Sequence, residues 1–418
     1  MVERERLPNG LTFVFEDVPG VRSASVGVWL RIGSRHEPPR LSGACHFVEH
    51  MLFKGTETRS AREISLLSDR IGGNLDAFTT KETTCFYARA LEEHLPLAVD
   101  LLADIVRRPR FDAEETERER KVILEEIRMV NDSPEERIYD LFCERFWPDH
   151  PLGRPIQGTE ETVGGLSRRA VLGWFRRAYV PGNIVVAAAG RLGARRRAAI
   201  KRAFADLPKG TPARRGGTPR FEPGIAVERR REMEQTQLLL GVPSLPAGDK
   251  RRFALHVLNT LLGGSLSSRL FQRIREERGL AYSVGSQTQS FDRAGLFTVY
   301  AGVSPENAAK VVRLALGEMR DLAERAPSAE EVDLARDHLK GNMLLSLEST
   351  SSRMSRAARE EMTLGRSVTV REMSDALDAV GPRQVRDLAE RLFAGQSAAL
   401  AVCGRVGRLG LRGKDLEL

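Results

Sequence analysis

The sequence predicts an α+β fold built twice: two tandem homologous domains, each a mainly antiparallel sheet with helices packed on one side. Three observations carry this expectation. The chain repeats itself at an offset of 216 residues, because Asp112-Ala-Glu-Glu-Thr-Glu-Arg-Glu-Arg120 and Ser328-Ala-Glu-Glu-Val-Asp-Leu-Ala-Arg336 each open a helix after a proline-bearing turn. Both copies follow a pair of strand-like segments and a helix, which is not the strict alternation of a parallel βαβ fold. The stretch from Leu207 to Pro223 is rich in proline and glycine among basic residues, the composition of a linker. The domains are therefore expected at 1–207 and 222–418, with the linker at 208–221.

In the first half, Leu11 to Phe15, Ala24 to Leu30 and Cys85 to Ala90 have strand-like patterning, and His94 to Val106 reads as a helix. Ala113 to Met129 is a longer helical pattern in which Val122, Ile123 and Ile127 share a face. Val180-Pro-Gly-Asn-Ile-Val-Val-Ala-Ala-Ala-Gly190 closes this half with a short apolar strand. The second half repeats the order with Gly295 to Val303, Pro305 to Arg320, the helix opening at Ser328, and the closing strand in Ala394-Gly-Gln-Ser-Ala-Ala-Leu-Ala-Val-Cys-Gly404.

Composition narrows the function classes. The 418 residues carry 65 Lys+Arg against 57 Asp+Glu, a net charge of +8, and acidic and basic residues are interspersed along the chain. The densest basic spots, Arg195 to Arg197, Arg214 with Arg215, and Arg229 to Arg231, lack the interleaved aromatics of a base-stacking surface, so no nucleic-acid partner is expected. Cys45, Cys85, Cys143 and Cys403 form no CxxC pair, which argues against a disulfide scaffold or a thiolate metal site and for a reducing compartment. Met1 to Leu11 has no apolar core of an export signal. The longest apolar runs, Ile184 to Ala189 and Ala398 to Cys403, are far below the ~20 residues of a membrane span. A cytoplasmic protein without membrane insertion is the expectation.

The chemistry is concentrated in Gly43-Ala-Cys-His46-Phe-Val-Glu49-His50. On a helix, His46 and His50 lie one turn apart and ~40° round the axis, so both imidazoles can reach one ion while Glu49 projects beside them. Phe47, Val48, Met51 and Leu52 are free to pack inward. Two histidines and a water leave zinc short of one ligand, which a carboxylate elsewhere must supply. The obvious donor is Glu119-Arg-Lys-Val-Ile-Leu-Glu-Glu126. Glu119 and Glu126 are two turns apart with a drift of ~20°, so both line one helical face, whereas Glu125 points ~100° away.

These segments, with Gly33-Ser-Arg-His-Glu37, Gly72-Gly-Asn-Leu-Asp-Ala-Phe-Thr79 and Gly264-Ser-Leu-Ser-Ser-Arg-Leu-Phe271, resemble the pitrilysin family of zinc metallopeptidases over nearly the whole chain, in particular the branch of the mitochondrial processing peptidase and its bacterial relatives. The resemblance implies one zinc per chain, held by His46, His50 and Glu126 in the first domain only. It makes Glu49 the general base and gives Glu119 the task of orienting a ligand histidine. It also implies that Asn74, Asp76, Ala77, Phe78 and Thr79 form an exposed sheet edge that binds a peptide or unfolded segment by strand addition; Asp76 stands where many relatives have Asn. Arg275 and Tyr282 match the family's pair that holds substrate over the metal. At the repeat offset, Ala335 and Asn342 replace Glu119 and Glu126, so the second half has no metal set, and His256 and His338 are read as structural.

The expected function is that of a zinc-dependent endopeptidase acting on peptides or leader sequences held in extended form inside a dimeric chamber. Because zinc and the Arg275/Tyr282 pair fall in different domains, a homodimer in which one subunit completes the other's site is expected. The alternative is a catalytically silent scaffold subunit of a larger complex, whose relatives usually have broken motifs, whereas this one is intact.

Overall fold

The computed structural model describes residues 2–418 except 208, 209, 214, 215 and 408. Part of the expected linker and the Arg214–Arg215 basic spot therefore lie outside the described residues. The chain forms two compact units of three segments each: Met1–Arg128, Arg154–Gly216 and Leu345–Ser367 in the first, Met129–Gly153, Gly217–Leu344 and Val368–Leu418 in the second.

The first unit holds a six-stranded sheet made of β1 (Val2–Arg6), β2 (Thr12–Asp17), β3 (Ser23–Leu30), β4 (Asn74–Thr79), β5 (Thr84–Leu91) and β6 (Ile184–Gly190). Their spatial order is β1-β2-β6-β3-β5-β4, antiparallel except for the β2/β6 pair, which leaves β4 at an edge. Its helices are α1 (Ala44–Leu52), α2 (Ala61–Ile71), α3 (Leu95–Arg107), α4 (Ala113–Asp132), α6 (Glu160–Gly165), α7 (Arg168–Ala178), α8 (Gly193–Phe204) and α12 (Thr350–Leu364).

The second unit holds β7 (Gly224–Arg229), β8 (Thr236–Ser244), β9 (Ala281–Ser290), β10 (Gly295–Val303) and β11 (Ala399–Gly404) in the order β7-β11-β8-β10-β9, with β7/β11 the parallel pair. Its helices are α5 (Pro134–Phe146), α9 (Arg252–Leu262), α10 (Ala308–Glu324), α11 (Ala329–Ser346), α13 (Val370–Asp378) and α14 (Pro382–Phe393). This is the α+β repeat that the sequence predicts. The elements agree with the expected segments to within four residues at their ends, where hydrophobic patterning is weakest: Pro305 to Arg320 becomes Ala308–Glu324 and Ala113 to Met129 becomes Ala113–Asp132.

The closing strands show how each sheet is covered. In β6, Ile184, Val186 and Ala188 face a core built with Phe47, Val48, Met51 and Leu52 of α1 and Leu95, Leu102 and Val106 of α3. Val185, Ala187 and Ala189 face the other way, under Met354, Ala357 and Ala358 of α12. A strand with both faces covered has no polar side, hence its unbroken apolar run. β11 repeats the arrangement: Leu400 and Val402 face the helical layer, while Ala399, Ala401 and Cys403 lie under Ile138, Phe142 and Phe146 of α5.

Each sheet thus keeps its main helical layer on one face, and a single helix from the other half of the sequence covers the opposite face. Glycine permits the close crossing. A Cβ on Gly27 would sit 2.8 Å from Met354 Sδ, and one on Gly241 would sit 2.7 Å from Phe142 Cζ. Polar contacts fix α12 in register: Ser25 Oγ lies 2.9 Å from Thr350 Oγ1, Arg353 donates to Glu16 at 2.6 Å, and Arg4 donates to the buried Glu361 at 2.6 Å.

Candidate metal centre

Helix α1 starts at Gly43, whose φ of 94° is left-handed and whose Cβ, if present, would strike Gln157 O at 2.5 Å. The first free N–H groups of the helix are taken by a carboxylate from upstream. Glu37 accepts from Gly43 N at 2.9 Å and from Cys45 N at 2.5 Å, and is 2% exposed. Burial pushes the Glu37 carboxyl up to about 7, against the downward pull of these two N–H groups. Ala44, Cys45, Phe47, Val48, Met51 and Leu52 are buried, so the helical period leaves His46, Glu49 and His50 on the half-buried opposite face.

The two imidazoles lie with ring centroids 4.6 Å apart. Helix α4 brings Glu126 against them, with Oε2 3.8 Å from His46 Nε2 and 3.5 Å from His50 Nε2. One ligand atom from each of the three residues falls within a span of 4.8 Å. Zinc ligands at 2.0–2.1 Å in tetrahedral array are about 3.4 Å from one another, so His46, His50 and Glu126 are spaced as residues that would hold such an ion. Burial and the neighbouring His50 push His46 down to about 3, which keeps its imidazole neutral as a metal ligand must be. Among the described residues this is the one cluster of three metal-ligating side chains.

Glu119 takes a different place on α4. It is 5% exposed, and its Oε2 faces His50 Nδ1 at 3.0 Å while its Oε1 receives Lys54 Nζ at 2.7 Å. Burial favours the neutral acid, but the hydrogen bonds from His50 and Lys54 outweigh it and hold the Glu119 carboxyl below its ordinary range. A carboxylate on Nδ1 fixes the tautomer in which Nε2 is free for a metal. Glu125 is exposed and pairs with Arg128 at 2.5 Å, away from the cluster.

Glu49 is bound by the edge strand. Thr79 Oγ1 donates to Glu49 Oε2 at 2.5 Å. Along β4, Asn74, Asp76 and Phe78 are exposed, whereas Leu75, Ala77 and Thr79 are half-buried. Phe78 packs edge-on to Trp29 at 5.6 Å, and Asp76 accepts from Ala77 N at 2.8 Å.

In the second unit, Arg275 and Tyr282 both sit in irregular backbone. Phe271–Glu276 is a π-helical turn, and the Arg275 guanidinium lies 4.8 Å from the Phe271 ring centre. On the edge strand β9, Ser283 pairs with Gly302 and Ala281 with Val303, so Tyr282 is the extra residue of a bulge. It is 77% exposed. Both kinds of irregularity recur at functional sites because they re-aim side chains. His338 and Asn342 of α11 are exposed and hydrogen-bonded to each other at 3.0 Å.

Known proteins decide the family. Residues 12–160 match the model of the insulinase (peptidase family M16) domain, and residues 165–339 match that of the peptidase M16 inactive domain. The chain is 42% identical over 411 residues to an uncharacterized zinc protease of Streptomyces coelicolor, covering 96% of this chain and 89% of that protein. The chain belongs to peptidase family M16. It is also 39% identical over 409 residues to the uncharacterized zinc protease YmxG of Bacillus subtilis, covering 98% of this chain and all of the relative. Among solved structures, the M16 fold recurs in a chain described as the peptidase M16 inactive domain from Pseudomonas fluorescens (TM-score 0.91, 19% identity, 97% and 98% of the two chains). It recurs as well in a chain of complex III2 from Candida albicans (TM-score 0.86, 18% identity, 99% of each). No described helix of this M16 chain is long and apolar enough to cross a membrane.

Spacing alone had left both Glu119 and Glu126 as possible donors; the structure sets Glu126 on the Nε2 side of the histidines and Glu119 on the Nδ1 side of His50. Lys54, the Glu37 cap and the Thr79–Glu49 bond were missed by sequence reasoning. Only the Gly33–Glu37 segment, whose last residue lies six before Gly43, carried a signal that could have pointed to the cap.

Proposed function

We propose that this chain is a zinc-dependent endopeptidase that hydrolyses peptides or leader sequences bound in extended form, and that it works in the cytoplasm as a homodimer enclosing a chamber. The convergence of His46 Nε2, His50 Nε2 and the Glu126 carboxylate, with Glu49 beside them, carries this reading. In it, one zinc per chain is held by His46, His50 and Glu126, and the ion, when bound, acidifies water and polarises the scissile carbonyl. Glu49 takes the proton of the attacking water and passes it to the leaving amine. Glu119 keeps His50 turned with Nε2 toward the ligand position. The backbone of β4, from Asn74 through Asp76, Ala77 and Phe78 to Thr79, pairs with the substrate along its open edge, which reads main chain and tolerates many sequences.

The homologous domains are taken as 1–207 and 222–418, with zinc chemistry in the first and the substrate-holding Arg275 and Tyr282 in the second. In the dimer, these two residues serve the partner's zinc. A second reading has one specific support: the fold is shared with a chain of a multi-subunit complex, complex III2 of Candida albicans, so a silent scaffold subunit is the alternative. Metal analysis together with cleavage of a peptide library by the wild type and by Glu49→Gln separates them. Zinc with cleavage that Glu49→Gln abolishes supports the peptidase; a zinc-free chain that cleaves nothing supports the scaffold.

A further inference from the structure

The hydrogen bond on Glu49 comes from the end of the edge strand, and the backbone around it is braced to keep it there. Strand β4 alternates, with Leu75 and Ala77 packed against the core that includes α1, so the same parity turns Thr79 toward that helix. Its hydroxyl meets Glu49 Oε2 at 2.5 Å, which leaves Oε1 as the oxygen that Thr79 does not engage. Just beyond Thr79, the hairpin turn is held by the segment Gly33–Glu37. Ser34 N donates to Thr80 O at 3.1 Å, Arg35 N donates to Lys81 O at 2.8 Å, and the Arg35 side chain pairs with Glu82. Gly33 passes so close that a Cβ would lie 2.3 Å from Thr80 O. The same five residues end in Glu37, which binds Gly43 N and Cys45 N at the start of α1. One short segment thus fixes the end of β4 relative to the first turn of α1, and the Thr79–Glu49 bond spans the two elements further along.

We propose that Thr79 is a positioning residue for Glu49: its hydroxyl locks one carboxylate oxygen, presents the other to the attacking water, and ties the alignment of the base to the strand on which the substrate lies. The proposal rests on the reading of Glu49 as the proton acceptor. A peptide paired along β4 stiffens the strand that carries the hydroxyl, so binding and alignment become one event, and misplacement of a catalytic group by ~1 Å costs on the order of 100-fold in rate.

Two substitutions test it. Thr79→Val keeps the branched shape and removes the donor, while Thr79→Ser keeps the donor. The probe is an internally quenched peptide that the wild type cleaves, taken from a random library. Thr79→Val is expected to lower kcat about tenfold or more, with KM within about twofold and zinc content unchanged, whereas Thr79→Ser stays within about threefold of wild type. In the residual rate of Glu49→Gln, Thr79→Val should have no further effect, because the group it positions is gone.

A Thr79→Val enzyme with wild-type kcat, or with a changed KM alone, overturns the proposal. So does a loss of kcat that persists undiminished in the Glu49→Gln background. Loss of zinc or of thermal stability in Thr79→Val assigns the residue a structural role and overturns it as well. If the zinc-loaded wild type cleaves no peptide, the peptidase reading falls first and the positioning role falls with it, an outcome distinct from an active wild type that is indifferent to Thr79→Val.

Discussion

Replacing three of the glutamates of α4, Glu119, Glu125 and Glu126, one at a time by glutamine should give three different zinc affinities. Glu125→Gln removes an exposed carboxylate whose partner is Arg128, and the affinity should stay within about twofold. Glu126→Gln removes the anionic member of the ligand set and should cost more than about 100-fold. Glu119→Gln falls between. Its carboxylate is 5% exposed and serves two donors, His50 Nδ1 at 3.0 Å and Lys54 Nζ at 2.7 Å. Glutamine keeps one acceptor oxygen for His50 but turns an NH2 group toward Lys54, donor against donor. The expected loss is about 10- to 100-fold, or about 1.4 to 2.7 kcal/mol. Because part of that loss comes from the clash, adding Lys54→Met to Glu119→Gln should return some of the affinity. Competitive titration against a chromophoric zinc chelator reads all four variants. Equal losses in Glu125→Gln and Glu126→Gln, or no loss in Glu119→Gln, would refute the reasoning.

Four further outcomes are expected. Glu49→Gln should retain zinc and lose about 10²- to 10⁴-fold in turnover, as measured by metal content and peptide cleavage; a metal-free variant would mean Glu49 was given the wrong role. Glu49→Gln and Arg275→Ala chains, each nearly inactive, should regain up to about half of the wild-type sites on subunit exchange, since a heterodimer carries one site with both residues intact; a mixture that stays dead after verified exchange excludes a composite site. Met354→Ala should destabilise the fold by about 2 to 5 kcal/mol in denaturant unfolding, because the side chain is 1% exposed with Sδ 3.1 Å from Trp29 Nε1; a change below 1 kcal/mol would show that α12 is loosely held.

The fourth concerns Glu37, whose carboxyl is raised by burial from 4.5 to about 7 beside the Cys45 thiol and the Arg154 guanidinium. A raised acid contributes stability below pH 4.5 that is lost as pH rises through 7, so the stability difference between wild type and Glu37→Gln should shrink by about 3 kcal/mol from pH 4.5 to 8. A flat difference would mean that the two backbone N–H groups hold Glu37 ionised throughout.

The parts of this molecule that were legible in its sequence are those with a local period. The i, i+4 spacing puts His46 and His50 on one face whatever else the chain does, and the unbroken apolar runs of β6 and β11 are strand-sized by inspection. Contacts between elements distant in sequence left no such trace. Nothing in the spacing of Glu119 and Glu126 says which of them meets the Nε2 atoms, because that depends on how α4 crosses α1. Thr79 and Glu49 are 30 residues apart, and their contact depends on β4 being an edge strand on the α1 side. The apolar runs revealed that both faces of β6 are buried only once α12, more than 150 residues later in the chain, was seen to cover one of them.

The exchange of α5 and α12 between the two halves of the sequence governs the order in which this protein can be born. A ribosome that has released residues 1–207 has made every strand of the first sheet, yet one face of that sheet, with Trp29, Val185, Ala187 and Ala189, stays bare until residues 350–364 emerge. During that interval, α5 has been made but the sheet it covers has not, so its Ile138, Phe142 and Phe146 are bare too. The nascent chain therefore carries two sticky surfaces from the end of the first sheet until α12 emerges, a window in which chaperone capture or aggregation competes with folding. The same exchange acts in the finished molecule: a protease cut between 208 and 221 would yield two fragments, each holding a helix that completes the other's sheet, and the nicked protein would stay together until it was denatured.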